Sequence, residues 1–234
     1  MTGTLINIAT ILVGSTLGLR FGKAFSSKTR ETIMAGLGLF TLAIGLQLTL
    51  ETENSLIVLG GLLIGGLIGE ALRIESGLNK LGVRLEERFG GREDADAQAR
   101  FVRGFMTASL LFCIGPLAIL GSIQDGLVGD YQLLAVKAIM DGFASFAFAS
   151  TLGVGVIFSA LSVGLYQGGI TLFAAQLQGV MTTAMTAEMT ATGGILLLGL
   201  AVSSLLEIKK IRVGNFLPAL VISPLIAAVL AALG

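Results

Sequence analysis

Ser55-Leu-Ile-Val-Leu-Gly-Gly-Leu-Leu-Ile-Gly-Gly-Leu-Ile-Gly-Glu-Ala-Leu72 carries no charge before Glu70, and Arg73 follows it directly. A helix rises about 1.5 Å per residue, so a run of this length nearly crosses the ~30 Å hydrocarbon layer of a bilayer. Gly61, Gly65 and Gly69 recur every four residues, which leaves one face smooth enough for another helix backbone to approach closely. The stretch reads as a membrane span.

The rest of the chain repeats that pattern. Its 234 residues are 54% hydrophobic and 13% charged, with a mean hydropathy of +0.90, where soluble domains carry about 25% charged residues. Apolar runs cover about 3–20, 32–50, 55–72, 103–122, 133–158, 163–180, 189–206 and 214–233. The expected fold is therefore an all-α polytopic transmembrane helix bundle. It has eight spans, or seven if a segment beside the uncharged 158–163 turn is fused or re-entrant. Residues 1–234 read as one integral membrane domain. The apolar N-terminus has no basic region before it and no small-residue cleavage pattern, so it reads as a retained first helix. The net charge is zero, which gives no sign of nucleic-acid binding.

The cations set the orientation. Arg20, Lys23, Lys28 and Arg30 form one window. Arg73, Lys80, Arg84, Arg88, Arg92, Arg100 and Arg103 form a second, and Lys209, Lys210 and Arg212 a third. Lys and Arg near span ends stay on the cytoplasmic side. Loops 20–31, 73–103 and 207–213 are thus expected inside, with Glu51, Glu53, Asn54, Asp125, Asp130 and both termini outside. Within residues 74–100, Leu78, Leu81, Leu85 and Phe89 recur at helical spacing among Lys80, Arg84, Glu87 and Arg88. That is an amphipathic helix resting on the cytoplasmic membrane surface and ended by Gly90 and Gly91.

Two stretches resemble each other. Glu31-Thr-Ile-Met-Ala-Gly36 and its apolar run match Glu188-Met-Thr-Ala-Thr-Gly193 and its run; with one inserted residue, Leu59–Leu72 matches Leu217–Leu230. Spans two and three would repeat as spans seven and eight in opposite orientation. Inverted repeats of this kind underlie many secondary transporters.

Chemistry is expected where polar groups interrupt the apolar runs. Pro116, with Gly115 and Gly121, breaks the fourth span, and Ser122, Gln124 and Asp125 follow the break. Freed backbone groups at membrane depth are tolerated only against protein or a wet cavity. Lys137 and Asp141 lie four apart on the fifth span and share a face. Beside them run Ala138, Gly142, Ser145, Ala149 and Gly153, a stripe of small residues that admits a close neighbour. Glu188 lies among Met181, Met185 and Met189 and the threonines flanking them. Six residues are therefore candidates for binding a substrate or ion: Ser122, Gln124, Asp125, Lys137, Asp141 and Glu188. Glu70 reads as the mark of a cytoplasmic helix end. Gln167, Gln176 and Gln178 are further polar residues in or near the sixth span, and Asn7 and Asn215 sit near the starts of the first and last.

Several chemistries are disfavoured. There is no His and Cys113 is the only Cys, so disulfides and His-based metal sites within the chain are excluded. The thioethers suit soft Cu(I), but with no His and no second Cys no metal or cofactor is expected. Ser/His and HExxH hydrolases need His. Asp125, Asp130 and Asp141 could supply an aspartyl pair, but the Gly-x-Gly-Asp pattern of intramembrane aspartyl proteases is missing. The chain is not read as an enzyme.

Thr2-Gly-Thr-Leu-Ile-Asn7, Gly14-Ser-Thr-Leu-Gly18, Gly115-Pro-Leu-Ala-Ile-Leu-Gly-Ser-Ile-Gln-Asp-Gly126, Lys137-Ala-Ile-Met-Asp-Gly142, Glu188-Met-Thr-Ala-Thr-Gly-Gly194 and Arg212-Val-Gly-Asn-Phe-Leu-Pro218 stand in this order along the chain. Together they resemble the YqgA/YdfK-like bacterial inner-membrane proteins, a family of unknown function labelled as membrane transport proteins. The resemblance covers nearly the whole chain. It implies a bacterial inner-membrane location and brings no substrate or site residue.

The function expected is a small transporter or channel for an unidentified solute or ion. It would be embedded in the lipid bilayer, assembled as a homo-oligomer through its small-residue faces, and have its polar site near the broken fourth helix. The alternative is a non-transporting scaffold that binds a partner through 73–103.

Overall fold

The computed structural model describes residues 1–89, 95–178 and 181–233, and among them every regular element is helical. In chain order these are α1 Thr2–Gly22, α2 Ser27–Thr49, α3 Ser55–Leu72, α4 Ile74–Phe89, α5 Ala95–Cys113, α6 Pro116–Val128, α7 Gln132–Leu152, α8 Ser159–Leu172, α9 Ala174–Gln178, α10 Thr183–Leu200 and α11 Ala219–Leu233. Short 3-10 turns, Val154–Phe158 and Val213–Phe216, lead into α8 and towards α11, and a π-turn, Ala201–Leu205, extends α10. Seven helical stretches are long and apolar enough to cross a membrane, and an eighth results if α5 and α6 count as one span bent by 62°. The bend falls where Gly115 takes φ +147°, a conformation that side chains resist. Gly90 and Gly91, expected to end the amphipathic helix, lie outside the described residues, as do the last two residues of the 163–180 run.

One boundary differs from the sequence reading. The fifth span ends at Leu152, and its neighbour begins at Val154 rather than near residue 163. Gly153 adopts φ +87° and stops α7, so it serves as a cap and not as part of the small-residue stripe. The apolar residues on both sides of the joint hide it from hydropathy.

Contacts divide the chain into two compact units. The first holds 1–36, 79–113 and 117–179; the second holds 37–78, 114–116 and 180–234. In the first unit α1 and α7 run parallel. A methyl group added to Gly14 would strike the Gly142 carbonyl, one on Gly18 the Phe146 carbonyl, and one on Gly22 the Ser150 backbone. The glycines are thus what lets these two backbones meet. Helix α8 runs antiparallel to α1, with Gly164 against Ile8 and Gly168 against Met1. Helix α4 turns Gly82 onto Val102 and Phe105 of α5 and stacks Phe89 on Phe158, with ring centroids 5.3 Å apart. Leu81 and Phe89 stay exposed, as on a helix lying at a surface.

In the second unit α3 and α11 are antiparallel: Gly61 abuts Ser223, Gly65 abuts Ala219, and Gly69 abuts Asn215. In the repeat alignment Gly61 is equivalent to Ala219, and Gly65 to Ser223. Gly61 therefore touches the equivalent of Gly65, and Gly65 touches the equivalent of Gly61, which is the reciprocity a local two-fold axis demands. The later part of α2 also faces α10 in antiparallel fashion, Gly45 against Gly194 and Gly38 against Leu206.

Candidate functional site

The deepest polar cluster lies in the first unit, where α1, α7 and α8 meet. Helix α7 starts after a turn at Gly129 (φ +71°), and the Asp130 carboxylate accepts the Gln132 N–H at 3.0 Å. Asp141 falls near the midpoint of α7, about 14 Å from its start at 1.5 Å per residue. Its Oδ2 accepts from the Lys137 ammonium and, at 2.9 Å, from the Asn7 amide. The same amide nitrogen donates to Gln167 Oε1 at 3.3 Å. Lys137 and Asp141 are 6% and 8% exposed, and Asn7 and Gln167 are fully buried. Asp141 thus faces protein, not lipid.

Burying opposite charges costs several kcal/mol per ion, which is offset only where geometry and further hydrogen bonds are good. Asn7 supplies one such bond. Among the described residues, however, Asn7 Oδ1 and Gln167 Nε2 have no partner, and neither do the hydroxyls of Thr4, Ser15 and Ser145. Thr4, Asn7 and Ser15 lie along buried positions of α1, and Lys137, Asp141 and Ser145 along α7. Thr4 to Ser15 spans about 16 Å of helix, roughly half the hydrocarbon thickness. The buried faces of α1 and α7 therefore carry polar groups with spare donors and acceptors.

The other candidates are placed differently. Asp125, buried on α6, accepts the Gly3 N–H at 3.0 Å and lies 3.0 Å from the Met1 amino group. It caps the start of α1, four residues ahead of Asn7, and keeps Oδ1 without a partner. Ser122 is buried and returns its hydroxyl to the Ala118 carbonyl at 2.5 Å, while Gln124 is exposed.

Glu188 belongs to the second unit. Its carboxylate accepts the Thr52 hydroxyl at 2.7 Å, the Asn54 N–H at 2.9 Å and the Glu53 N–H at 3.0 Å. It clamps the α2–α3 corner, where Asn54 in turn caps α3 by accepting the Leu56 N–H at 3.1 Å. At the other end of α3, Arg73 closes the helix in the left-handed region. There Asn215 Nδ2 donates to Glu70 at 2.6 Å, Arg212 donates to Glu70 at 2.7 Å, and the Gly214 N–H donates to Glu75 at 2.7 Å. Burial raises the Glu75 pKa, opposed by the Gly214 N–H and by the charges of Lys210 and Arg212. Glu70 thus ends the helix as expected, and also holds the 212–215 turn.

Asn7 and Gln167 were not among the six candidates. Asn7 shares a face with Gly3, Gly14 and Gly18, so the spacing of small residues on the first span was the available signal. Gln167 had none beyond being polar in an apolar run. Among the described residues no group of three or more His, Cys, Asp or Glu could hold a metal ion.

A family described as a protein of unknown function (DUF554) matches residues 2–228. The uncharacterized membrane protein YdfK of Bacillus subtilis (strain 168) is 34% identical, with 100% of this chain and 99% of the relative covered. The uncharacterized protein YqgA of Escherichia coli (strain K12) is 30% identical, with 97% and 96% covered. No solved structure matches. The apolar helices and these relatives make this a multi-pass membrane protein, and the chain belongs to the DUF554 family.

Proposed function

We propose that the protein is a non-enzymatic transporter or channel for a small ion, with Asp141 as the group that changes occupancy. The carrying observation is the Lys137–Asp141 pair at mid-span, bracketed by Asn7 and Gln167 with an acceptor and a donor to spare. Intramembrane ionisable groups facing the bundle interior mark ion pathways and proton relays. A proton or small cation arriving at Asp141 would displace the Lys137 ammonium, and Asn7 Oδ1 and the Ser145 hydroxyl could take up hydrogen bonds on either side. Asp125 would position the start of α1, and through it Asn7.

The site then lies on the α1–α7 seam rather than at the break in the fourth span. Its membrane would be the bacterial inner membrane, as the resemblance implies, with both termini outside by the distribution of cations. Consistent with this, Lys23, Arg30 and Arg100 share one end of the first unit, and Glu70, Arg73 and Arg212 one end of the second. The small-residue seams are filled within the chain, so the reading does not require a second copy.

Proteoliposome flux tests the proposal. Purified protein should carry protons or a monovalent cation, and Asp141→Asn should abolish that flux. Wild-type flux retained in Asp141→Asn and Lys137→Gln would remove the pair from the mechanism. No flux from wild type, with function lost on neutralising Arg84 and Arg88, would favour a scaffold.

A further inference from the structure

A cavity of about 180 Å³ opens in the first unit where α1 and α7 end. Lys23 follows α1, Arg30 comes from α2 and Arg100 from α5, so three separate elements bring a cation to one small space; among the described residues Glu86 of α4 is the only acid lining it. The charges of the described lining residues sum to a positive value. Pockets for drug-sized molecules run from roughly 300 Å³ upward, so this one suits an inorganic ion or the head of a larger molecule.

Helix C-termini attract cations through their free carbonyls, and Arg30 meets that demand, donating from Nη2 to the Gly22 carbonyl at 2.9 Å. The same guanidinium keeps its Nε buried without a partner. Glu86, 3% exposed, accepts from Gln98 at 3.0 Å. Lys23 and Arg100 are exposed at the rim. Three cationic side chains from separate elements thus line one cavity, a charge density that suits a multiply charged, many-oxygen anion better than a single carboxylate. The site also lies at the ends of two spans, the depth at which lipid phosphates sit, and basic pockets between membrane helices recognise such groups.

We propose that this cavity binds a phosphate group, carried by an anionic lipid or free in solution, through Arg30, Arg100 and Lys23. The site is separate from Asp141 and does not depend on the function proposed for it.

The test is thermal unfolding of the full chain in detergent with added ligand, because a ligand that binds only the native state raises the midpoint. The probes are inorganic phosphate and short-chain phosphatidylglycerol, with short-chain phosphatidylcholine and sodium chloride at matched ionic strength as controls. A rise with phosphate alone assigns a free anion, and a rise with phosphatidylglycerol alone, or a much larger one, assigns a lipid head. Lys23→Gln and Arg100→Gln, both at exposed positions, should weaken binding at least ~10-fold each, as expected for a lost hydrogen bond between charged groups. The proposal is overturned if neither probe raises the midpoint, if the controls raise it equally, or if both variants bind like wild type.

Discussion

Asn7 in the first helix donates a 2.9 Å hydrogen bond to Asp141, which lies 134 residues later in the chain. That bond ties α1 to the ion pair of α7, and the second bond from Asn7, to Gln167, ties both to α8. One amide therefore links three helices at the charged centre of the first unit.

Asn7→Ala should remove about 1.5–3 kcal/mol of stability, the value of a hydrogen bond to a charged group. Thermal unfolding in detergent would show it. Asn7→Asp should be worse, since it sets a second carboxylate against Asp141.

Breaking the ion pair from one side should cost more than removing it. Lys137→Met or Asp141→Leu alone leaves a buried charge without a partner, at about 3–5 kcal/mol. The double variant should recover most of that loss and still lack flux. A double variant no more stable than the worse single one would contradict the coupling.

Glu188→Ala should loosen the α2–α3 corner by roughly 1–3 kcal/mol, because two backbone N–H groups lose their charged acceptor. Glu188→Gln should restore part of this and leave flux per folded molecule unchanged. A loss of flux in folded Glu188→Gln would return Glu188 to the transport site.

Glu75 predicts a pH effect of defined sign. Its pKa in the folded protein is raised above the ordinary 4.5, so the folded state holds the proton more firmly than the unfolded chain. Stability from this group is fully present below 4.5 and falls as pH rises through the raised value. Glu75→Gln should flatten the midpoint-against-pH curve in that window. An unchanged slope would show that Glu75 does not set it.

Glycine substitutions should separate seam from surface. Gly65→Leu would push side-chain atoms into the Ala219 backbone and should prevent α3 and α11 from closing. Gly36→Ala meets open space and should be neutral, or stabilising by up to ~1 kcal/mol. Melting both variants beside wild type checks the pair.

The spans, the kink at Gly115 and the shared face of Lys137 and Asp141 were legible in the sequence because they rest on local rules: length, backbone chemistry and helical period. Gly142 and Ala149 also announced a close neighbour, but not which helix it was. The identity of α1 as that neighbour depends on tertiary pairing, and periodicity carries no information on it. Glu188 shows the opposite limit. A buried acid in an apolar helix suggested ligand binding, yet its oxygens bond to a corner of the chain more than 130 residues away. Gly153 was misplaced because a positive-φ glycine stop between two apolar stretches leaves hydropathy unchanged.

The parallel pairing of α1 and α7 has a consequence for biosynthesis. Parallel neighbours cannot be joined by a short hairpin, and the partner of Asn7 is made 134 residues after it. At roughly 5–20 residues per second, the first span waits about 7–27 s in the bilayer with a polar amide it cannot yet satisfy. A nascent chain stopped before Asp141 would present that amide to whatever insertion factor or protease reaches it first.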